Sequence, residues 1–315
     1  MRLVFMGTAS FAIPTLKSLL LAGHDVAAVY TQPDRGKGRG RQLATSPVKL
    51  LAAEFGVDVF QPAKIRDVEN IELIAKLAPD VVVVVAYGQI LPVSILELPR
   101  YGCINVHGSL LPHYRGAAPV QRAIMNGESV SGVTTMYMDK GLDTGDMILH
   151  KSVPIAPDIT FGDYYDLLAE QGAILLLDTL DQIAWGTAPR IPQLEMNATY
   201  APPLRREDEH IDFSRSAIEI MNQVRALAPQ PGATAFLNGT PLKIHAAALT
   251  DCDQLGEPGE IMICSRGQGL VVQTGSGHLR LQSLQRPGKK RLTELEFICG
   301  SSNLQGCRFA SLDAS

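Results

Sequence analysis

Five consecutive valines, Val81 to Val85, followed by Ala86, constrain the fold of this chain more than any other feature. β-branched side chains on both faces of a short segment are typical of a central strand in a parallel sheet, because such a strand is buried on both faces. The run is far shorter than the roughly 20 apolar residues that a membrane-spanning helix needs. We therefore expect a buried parallel sheet and no transmembrane helix.

Strand-like and helix-like patterns alternate along the first half of the chain. Apolar runs predict strands over 2–6, 25–31, 57–60, 81–86, 101–106, 132–138 and 146–153. Helical spacing of apolar residues predicts helices over 11–22, 48–55, 68–77 and 161–185. Repeated units of strand and helix predict an α/β fold with a Rossmann-like, doubly wound and mostly parallel sheet.

The C-terminal part has a different pattern. Short strand-like segments, separated by glycine-containing turns, lie over 233–237, 242–248, 259–263, 270–273 and 279–284. Several short strands at regular spacing predict a small β-barrel. Residues 186–206 are rich in Pro, Arg and Thr and only weakly periodic. We therefore expect an N-terminal domain over 1–189, a linker over 190–207 and the barrel domain over 208–315.

The charge balance excludes a general nucleic-acid-binding surface. The chain has 28 Lys and Arg against 32 Asp and Glu, a formal net charge of −4, so contact with a phosphate backbone must come from local patches. One patch, from Arg35 to Lys49, has five basic and no acidic residues, and a second lies over 286–291. The first patch is either a solvated flexible loop or a basic arm that closes over a phosphate backbone.

Several common site types are not expected. The turn after the first strand reads Gly7-Thr8-Ala9, which lacks the second glycine of a dinucleotide fingerprint, so NAD binding is not expected. The five cysteines have no C-x-x-C spacing, so we expect neither a disulfide framework nor a zinc site. Residues 1–6 are too short an apolar stretch for a signal peptide, and we expect a cytoplasmic protein.

Two polar residues, Asn105 and His107, mark the end of a predicted strand. They are two residues apart and therefore share one face. They lie at the carboxyl edge of the sheet, where open α/β sheets bind their ligands. A hydrogen-bonded structural pair is the alternative interpretation, because polar residues in a strand need partners when they are buried.

A carboxylate, Asp143, lies in the glycine-containing loop over 139–146, between two predicted strands. An aspartate in such a loop commonly bonds its own backbone. An amide, an imidazole and a carboxylate together would supply an oxyanion donor, a proton carrier and an orienting group. Those are the parts that acyl transfer without a covalent intermediate requires.

Two motifs carry a resemblance to a known family. Residues 105–112, Asn-Val-His-Gly-Ser-Leu-Leu-Pro, followed by residues 114–119, Tyr-Arg-Gly-Ala-Ala-Pro, resemble a signature of the folate-dependent formyltransferases. Residues 142–146, Leu-Asp-Thr-Gly-Asp, resemble their second motif. Residues 5–8, 31–35 and 46–49 narrow the resemblance to the branch that acts on methionyl initiator tRNA. The resemblance implies a formyltransferase fold followed by an OB-like barrel.

The resemblance also implies the substrates and the site. The formyl donor would be 10-formyltetrahydrofolate and the acceptor the α-amino group of methionyl initiator tRNA, with no metal and no nicotinamide. We expect a monomer that makes no membrane contact. The implied catalytic residues are Asn105, His107 and Asp143, and the implied folate-lining residues are Ser109, Leu110, Leu111 and Pro112. The residues expected to bind tRNA are Arg35, Lys37, Arg39, Arg41, Lys289, Lys290 and Arg291.

Two other functions remain open at this point. One is formyl transfer to a glycinamide ribonucleotide or to a nucleotide-linked amino sugar, for which the two basic patches would have no use. The other is a non-enzymatic RNA-binding or folate-binding protein, which would not need all three of Asn105, His107 and Asp143. A panel of acceptors separates the first from the expected function, and any turnover at all excludes the second.

Overall fold

The valine run at residues 81–85 forms the middle strand of a seven-stranded sheet, and all five valines are buried. The structure is a computed structural model that describes residues 1–37, 42–301 and 304–310. Up to residue 185 its strands are β1 (Arg2–Gly7), β2 (Asp25–Tyr30), β3 (Arg35–Lys37), β4 (Gln42–Ala44), β5 (Val59–Phe60), β6 (Val81–Val85), β7 (Cys103–His107), β8 (Val130–Tyr137) and β9 (Met147–Pro154). The helices of this part are α1 (Ala12–Leu21), α2 (Pro47–Glu54), α3 (Val68–Leu77), α4 (Val93–Leu96), α5 (Pro119–Met125) and α6 (Phe161–Trp185).

The chain divides into two units. The first comprises Met1–Pro119, Val130–Pro154 and Tyr165–Ala201. The second comprises Val120–Ser129, Ile155–Tyr164 and Pro202–Ser315. The boundaries expected from composition, at 189 and 207, stay a prediction.

The sheet of the first unit has the order β5-β2-β1-β6-β7-β8-β9. Pairing is parallel from β5 to β7 and antiparallel from β7 to β9. The predicted doubly wound, mostly parallel sheet is therefore confirmed. Its register places Val83 opposite Phe5 on β1 and opposite Ile104 on β7. The carboxyl ends of these strands consequently meet at one edge of the sheet.

Apolar side chains cover both faces of this sheet. On one face Val82 and Val84 belong to a buried cluster with Ile74 of α3 and Ile95 of α4. On the other face helix α6 approaches β7 closely at Gly172, where an added Cβ would lie 2.8 Å from Cγ1 of Val106. The close approach explains why a residue without a side chain stands in the middle of a long helix.

Helix α2 begins close to where the sequence predicts a helix. The Ser46 hydroxyl accepts a hydrogen bond from the backbone N–H of Lys49 at 3.1 Å, and Pro47 is the first helical residue. Serine at the N-cap and proline at the first position satisfy or remove amide groups that would otherwise lack partners. The basic segment before this helix contains the β3–β4 hairpin, in which Arg35 pairs with Ala44.

The second unit contains an antiparallel sheet of short strands. Its strands are β10 (Ala233–Leu237), β11 (Thr240–Thr250), β12 (Ile261–Ser265), β13 (Gly269–Gln273), β14 (His278–Gln285), β15 (Arg291–Thr293) and β16 (Phe309–Ala310), and its helices are α7 (Ala217–Ala226) and α8 (Glu294–Cys299). The order is β12-β13-β14-β11-β10-β16, with β15 paired to β14. Backbone hydrogen bonds from Ile261 to Cys307 and from Phe309 to Gly259 join the two edges of the sheet. The sheet therefore curls on itself, which confirms the predicted small barrel.

Helix α7 packs its apolar side against this curled sheet. Ile220 and Val224 are buried in one cluster with Ile244 and Leu281. The helix begins with a capping box, in which Ser216 and Glu219 satisfy each other's backbone N–H groups. The hydroxyl of Ser216 also donates to the Glu219 carboxylate at 2.6 Å, and Arg215 pairs with it at 2.9 Å. These bonds lower the pKa of Glu219 from its ordinary 4.5 to about 2.

No helix among residues 1–37, 42–301 and 304–310 combines the length and the apolarity that crossing a bilayer requires.

The capping box predicts a pH-dependent contribution to stability. Because the pKa of Glu219 is lower in the folded than in the unfolded chain, its stabilising effect is present above about pH 4.5 and is lost as the pH falls toward about 2. We expect Glu219→Gln to lower the free energy of unfolding at pH 7 and the difference from wild type to shrink as the pH falls. Urea unfolding at pH 7, 4 and 3 measures this. An equally pH-dependent difference for the exposed control Asp253→Asn would contradict the interpretation.

Candidate active site

Asn105 and His107 lie at the carboxyl end of β7, and both are buried. Strand alternation gives them the face opposite to Val106, which contacts helix α6. The register places Asn105 opposite Val84 on β6 and His107 opposite Thr134 on β8. Two polar side chains therefore end a strand that is otherwise enclosed by apolar neighbours.

The Asn105 side chain is 9% exposed. Within the part of the chain that the structure describes, no protein group forms a hydrogen bond with its amide. The amide nitrogen and oxygen of Asn105 are not fully enclosed by protein, so they reach the open side of the site. Asn105 consequently has two donors and one acceptor available for a bound molecule.

Asp143 lies in the loop between β8 and β9. The Asp139 carboxylate folds this loop by accepting hydrogen bonds from the Gly141 N–H at 2.9 Å and from the Thr144 hydroxyl at 2.7 Å. Asp143 itself has a φ of +54°, in the left-handed region that residues other than glycine rarely adopt. Its Oδ2 accepts a hydrogen bond from the Gly116 N–H at 2.8 Å. The carboxylate is thus held by a backbone donor from another part of the first unit.

His107 is oriented by a backbone carbonyl. Its Nε2 lies 3.0 Å from the carbonyl oxygen of Tyr114. Because a carbonyl can only accept, Nε2 carries a proton and donates it. The other ring nitrogen, Nδ1, lies 3.8 Å from Oδ2 of Asp143. That distance is too long for a direct hydrogen bond, and it leaves Nδ1 as the atom that can exchange a proton within the site.

The segment after β7 forms a turn that hydrogen bonds from Thr134 of β8 hold in place. The Thr134 hydroxyl donates to the Ser109 carbonyl at 2.7 Å and accepts from the Leu111 N–H at 3.2 Å. The Ser109 hydroxyl donates to the His113 carbonyl at 2.6 Å, and the Leu111–Pro112 peptide bond is cis. The predicted folate-lining residues therefore follow His107 directly in one well-bonded turn. Ser109 and Leu111 are buried, and Leu110 and Pro112 are partly exposed.

The sequence analysis assigned no role to two polar residues beside this site, of which Arg115 lies in the motif over 114–119 and Gln193 lies in no motif. Arg115 is only 1% exposed, and its Nη1 donates to Glu195 at 2.8 Å. Its Nε donates to Oε1 of Gln193 at 3.0 Å, and Nε2 of Gln193 donates to the carbonyl oxygens of Asp143 and Gly145, both at 2.8 Å. Gln193 stands in a segment that the sequence presents only as a linker, so no local pattern indicated its place.

The predicted tRNA-binding residues have different surroundings. Arg39 and Arg41 lie outside the described residues, and Arg35 and Lys37 begin and end strand β3. Lys289 and Lys290 are exposed, and Nζ of Lys290 lies 3.6 Å from Glu296. The guanidinium of Arg291 donates to the Pro229 carbonyl at 3.1 Å and to Nδ1 of His245 at 3.0 Å. Arg291 therefore already has a structural use, and its role toward tRNA stays a prediction.

The basic residue Lys49 is also neutralised in part. Its Nζ lies 2.7 Å from the Asp34 carboxylate and 2.6 Å from Oε1 of Gln61. The hydrogen bonds from Lys49 and Gln61 lower the pKa of Asp34.

In the described ranges no three His, Cys, Asp or Glu side chains are grouped so that they could hold a metal ion.

Family models match most of the chain. The model described as "Formyl transferase" matches residues 1–180, and the model described as "Formyl transferase, C-terminal domain" matches residues 203–302. The first match includes β1 to β9 with Asn105, His107, Asp143 and Arg115, and it ends before Gln193. The second includes most of the barrel.

Curated relatives are similar over nearly the whole length. A methionyl-tRNA formyltransferase from Pelotomaculum thermopropionicum is 50% identical over 307 residues, which is 97% of each chain. One from Moorella thermoacetica is 50% identical over 306 residues, 97% of this chain and 98% of that protein. One from Geobacter sulfurreducens is 48% identical over 300 residues, 95% and 94% of the two chains.

Solved structures share the fold at low sequence identity. A sugar 3N-formyltransferase, crystallised in the presence of dTDP and 5-N-formyl-THF, is 20% identical with a TM-score of 0.65, over 92% of this chain and 99% of that one. HypX from Aquifex aeolicus in complex with tetrahydrofolic acid is 18% identical with a TM-score of 0.64, over 95% of this chain and 47% of that one. At these identities the likeness concerns the fold alone.

The turn after β7 predicts a measurable loss of stability when Thr134 is changed. Thr134→Val keeps the shape of the side chain but leaves the Ser109 carbonyl and the Leu111 N–H without their partner. Leaving buried polar groups unpaired costs about 1–3 kcal/mol each, so we expect a loss of about that size in the free energy of unfolding. Denaturant unfolding measures it. If the exposed control Thr240→Val were equally destabilising, the role of the hydroxyl would be refuted.

Proposed function

The chain belongs to the formyltransferase family, with methionyl-tRNA formyltransferases as its relatives, and we propose that it formylates the methionine of initiator tRNA with 10-formyltetrahydrofolate. The sequence resemblance to the folate-dependent formyltransferases is confirmed. The product is N-formylmethionyl-tRNA, which starts translation. The observation that carries the proposal is the side-chain amide of Asn105, which has no hydrogen-bond partner among the described residues and lies two residues from His107 on the same strand face.

Asn105 is the proposed oxyanion donor. The methionyl amine attacks the formyl carbon, a new C–N bond forms, and negative charge develops on the former carbonyl oxygen. An amide N–H already fixed in a buried strand can stabilise that charge without reorganising, and such stabilisation usually contributes more to the rate of acyl transfer than any other single effect. A partner inside the protein would compete with the oxyanion for these donors, and Asn105 has none among the described residues.

His107 and Asp143 are the proposed proton carriers. The attacking amine must lose a proton, and the folate nitrogen must gain one when its bond to the formyl carbon breaks. Nδ1 of His107 and Oδ2 of Asp143, 3.8 Å apart, are the basic atoms that these two residues bring to the site. Hydrogen bonds between catalytic groups are often long before substrate binds and then tighten. His107 protonates the leaving nitrogen or donates to the oxyanion, and Asp143 stabilises the imidazolium.

The turn over 109–112 is the proposed folate-lining segment. It follows His107 directly, so a folate held against Leu110 and Pro112 would present its formyl group near Asn105. Both side chains are partly exposed. The formyl donor supplies the group that is transferred, and we propose no metal and no NAD for the reaction.

The basic patches are proposed to hold the phosphate backbone of the tRNA. The residues are Arg35, Lys37, Arg39 and Arg41 in the N-terminal half and Lys289, Lys290 and Arg291 in the C-terminal half. Each phosphate that a protein neutralises makes binding more salt-dependent. We propose a catalytic domain over 1–189, a linker over 190–207 and a tRNA-binding domain over 208–315. We also propose that the protein is a cytoplasmic monomer.

The oxyanion role predicts a large effect on rate. Removing one such donor typically costs about 10²- to 10³-fold in kcat, so we expect Asn105→Ala to slow single-turnover formylation by about that factor with little change in KM for either substrate. Rapid-quench formylation of methionyl initiator tRNA measures it. Asn70→Ala on helix α3 is the control, because its side-chain amide donates to the Lys64 carbonyl at 3.1 Å and bonds no other described residue. A rate within threefold of wild type for Asn105→Ala would refute the role.

The basic-arm role predicts the opposite kinetic pattern. Arg39→Ala should raise KM for the tRNA and reduce its salt dependence, whereas His107→Ala should mainly lower kcat. Steady-state kinetics at several salt concentrations separate the two. The reverse assignment would contradict the proposed division of labour. Transfer to an amino sugar or to glycinamide ribonucleotide, but not to tRNA, would be compatible with the proposed catalytic residues. It would exclude methionyl initiator tRNA as the acceptor.

A further inference from the structure

We infer that Gln193 is a positioning residue for formyl transfer, which acts by holding the Asp143 loop and the segment over 114–116 in one arrangement. The inference rests on the proposed function, because it assigns Gln193 a part in orienting the proposed catalytic groups. Gln193 has no place in any motif of the sequence.

The first step is the conformation of Asp143. Its φ of +54° is unfavourable for a residue with a side chain. Such a conformation persists only where surrounding contacts determine it, and it is common at functional sites. The loop therefore needs contacts that keep Asp143 from relaxing to an ordinary backbone conformation.

Gln193 supplies those contacts from 50 residues away in the sequence. Its single Nε2 atom donates to the carbonyl of Asp143 and to the carbonyl of Gly145, both at 2.8 Å. The two carbonyls lie on either side of Thr144. One side-chain amide thus bridges the turn and fixes the peptide group that follows Asp143.

The side-chain amide oxygen of Gln193 contacts a second segment of the site, residues 114–116. Oε1 of Gln193 accepts from Nε of Arg115, which is 1% exposed. The neighbours of Arg115 orient the two proposed proton carriers, since the Tyr114 carbonyl accepts from His107 and the Gly116 N–H donates to Asp143. Gln193 therefore connects the backbone of Asp143 to the segment that aims both side chains.

The backbone around Gln193 reinforces this connection. The N–H of Arg115 donates to the Thr199 carbonyl at 2.8 Å, and the N–H of Ala201 donates to the Arg115 carbonyl at 2.7 Å. The segment over 193–201 therefore runs beside Arg115 and keeps Gln193 in reach of the loop. All of these contacts lie within the first unit.

Only an amide of this length has the required chemistry. Glutamine offers two donors at one atom and an acceptor at the other. A glutamate would still accept from Arg115 but would place negative charge against two carbonyl oxygens. A leucine of similar size would lose all three bonds. Gln193→Glu and Gln193→Leu therefore remove the bonds to the loop in two independent ways.

The test is a double-mutant comparison of single-turnover formylation. Gln193→Leu and Gln193→Glu are made in the wild-type protein and in Asp143→Asn, with saturating 10-formyltetrahydrofolate and methionyl initiator tRNA. Misplacement of a catalytic group by about 1 Å can cost about 100-fold. We expect each Gln193 variant to slow transfer by about 10- to 100-fold in the wild-type background, with KM values changed by less than about twofold.

In the Asp143→Asn background we expect a further loss of less than about threefold for Gln193→Glu, because this variant keeps the bond to Arg115 and so acts through Asp143. Gln182→Leu on helix α6 is the matched control, since the backbone carbonyl of Gln182, rather than its side chain, accepts the bonds that end the helix. Equal fold losses for Gln193→Glu in both backgrounds, or a loss confined to KM, would overturn the inference.

Amide hydrogen exchange gives a readout that does not depend on the acceptor. The Gln193 variants should exchange faster over 139–146 while the strands β1, β6 and β7 keep wild-type protection. Unchanged exchange in the loop would overturn the inference even if the protein formylated another acceptor. Wild-type protein without activity on methionyl-tRNA, but with faster loop exchange in the variants, would reject the proposed function alone.

Discussion

The register of β7 between β6 and β8 decides where the proposed catalytic side chains Asn105 and His107 lie. Asn105 is opposite Val84, and His107 is opposite Thr134. A slip of one residue would move both polar side chains to the face that helix α6 covers. The contact of Val106 with helix α6 opposes such a slip, because Asn105 or His107 would replace Val106 against the helix. The apolar contact on the other face of β7 therefore holds the geometry of the site.

The polar side chains of the site differ in whether the protein supplies a hydrogen-bond partner. Nε2 of His107 is satisfied by the Tyr114 carbonyl, and Asp143 by the Gly116 N–H. Asn105 is left without a protein partner among the described residues. Its donors and its acceptor are therefore available to a bound molecule beside the proposed proton carriers.

The sequence predicted those parts of the fold that rest on local periodicity. The valine run, the capped start of α2 and the long helix over 161–185 appear in the structure where apolar spacing and turn residues predict them. Strand β5 is shorter than its apolar run, because it pairs only with β2 at the edge of the sheet. Strand β7 reaches His107, one residue beyond the predicted end.

The site was less accessible to sequence reasoning. Asn105 and His107 stood out because two polar residues end an apolar strand, but Asp143 lies 36 residues beyond His107 in a turn that has an ordinary structural explanation. Arg115 lies in the motif over 114–119 but received no role, and Gln193 lies in no motif. The bond between them joins residues 78 positions apart. Contacts of this kind depend on how loops meet after the sheet has formed, and neither periodicity nor spacing encodes them.

The central claim is direct formyl transfer at Asn105, His107 and Asp143, without a covalent intermediate on the protein. Rapid-quench single turnover with a radiolabelled formyl group on 10-formyltetrahydrofolate and with methionyl initiator tRNA tests it most directly. We expect label to leave the folate and to appear on the tRNA with the same rate constant, and none to remain on the protein at any time. Label trapped on the protein, or release of folate before the tRNA is formylated, would contradict the account.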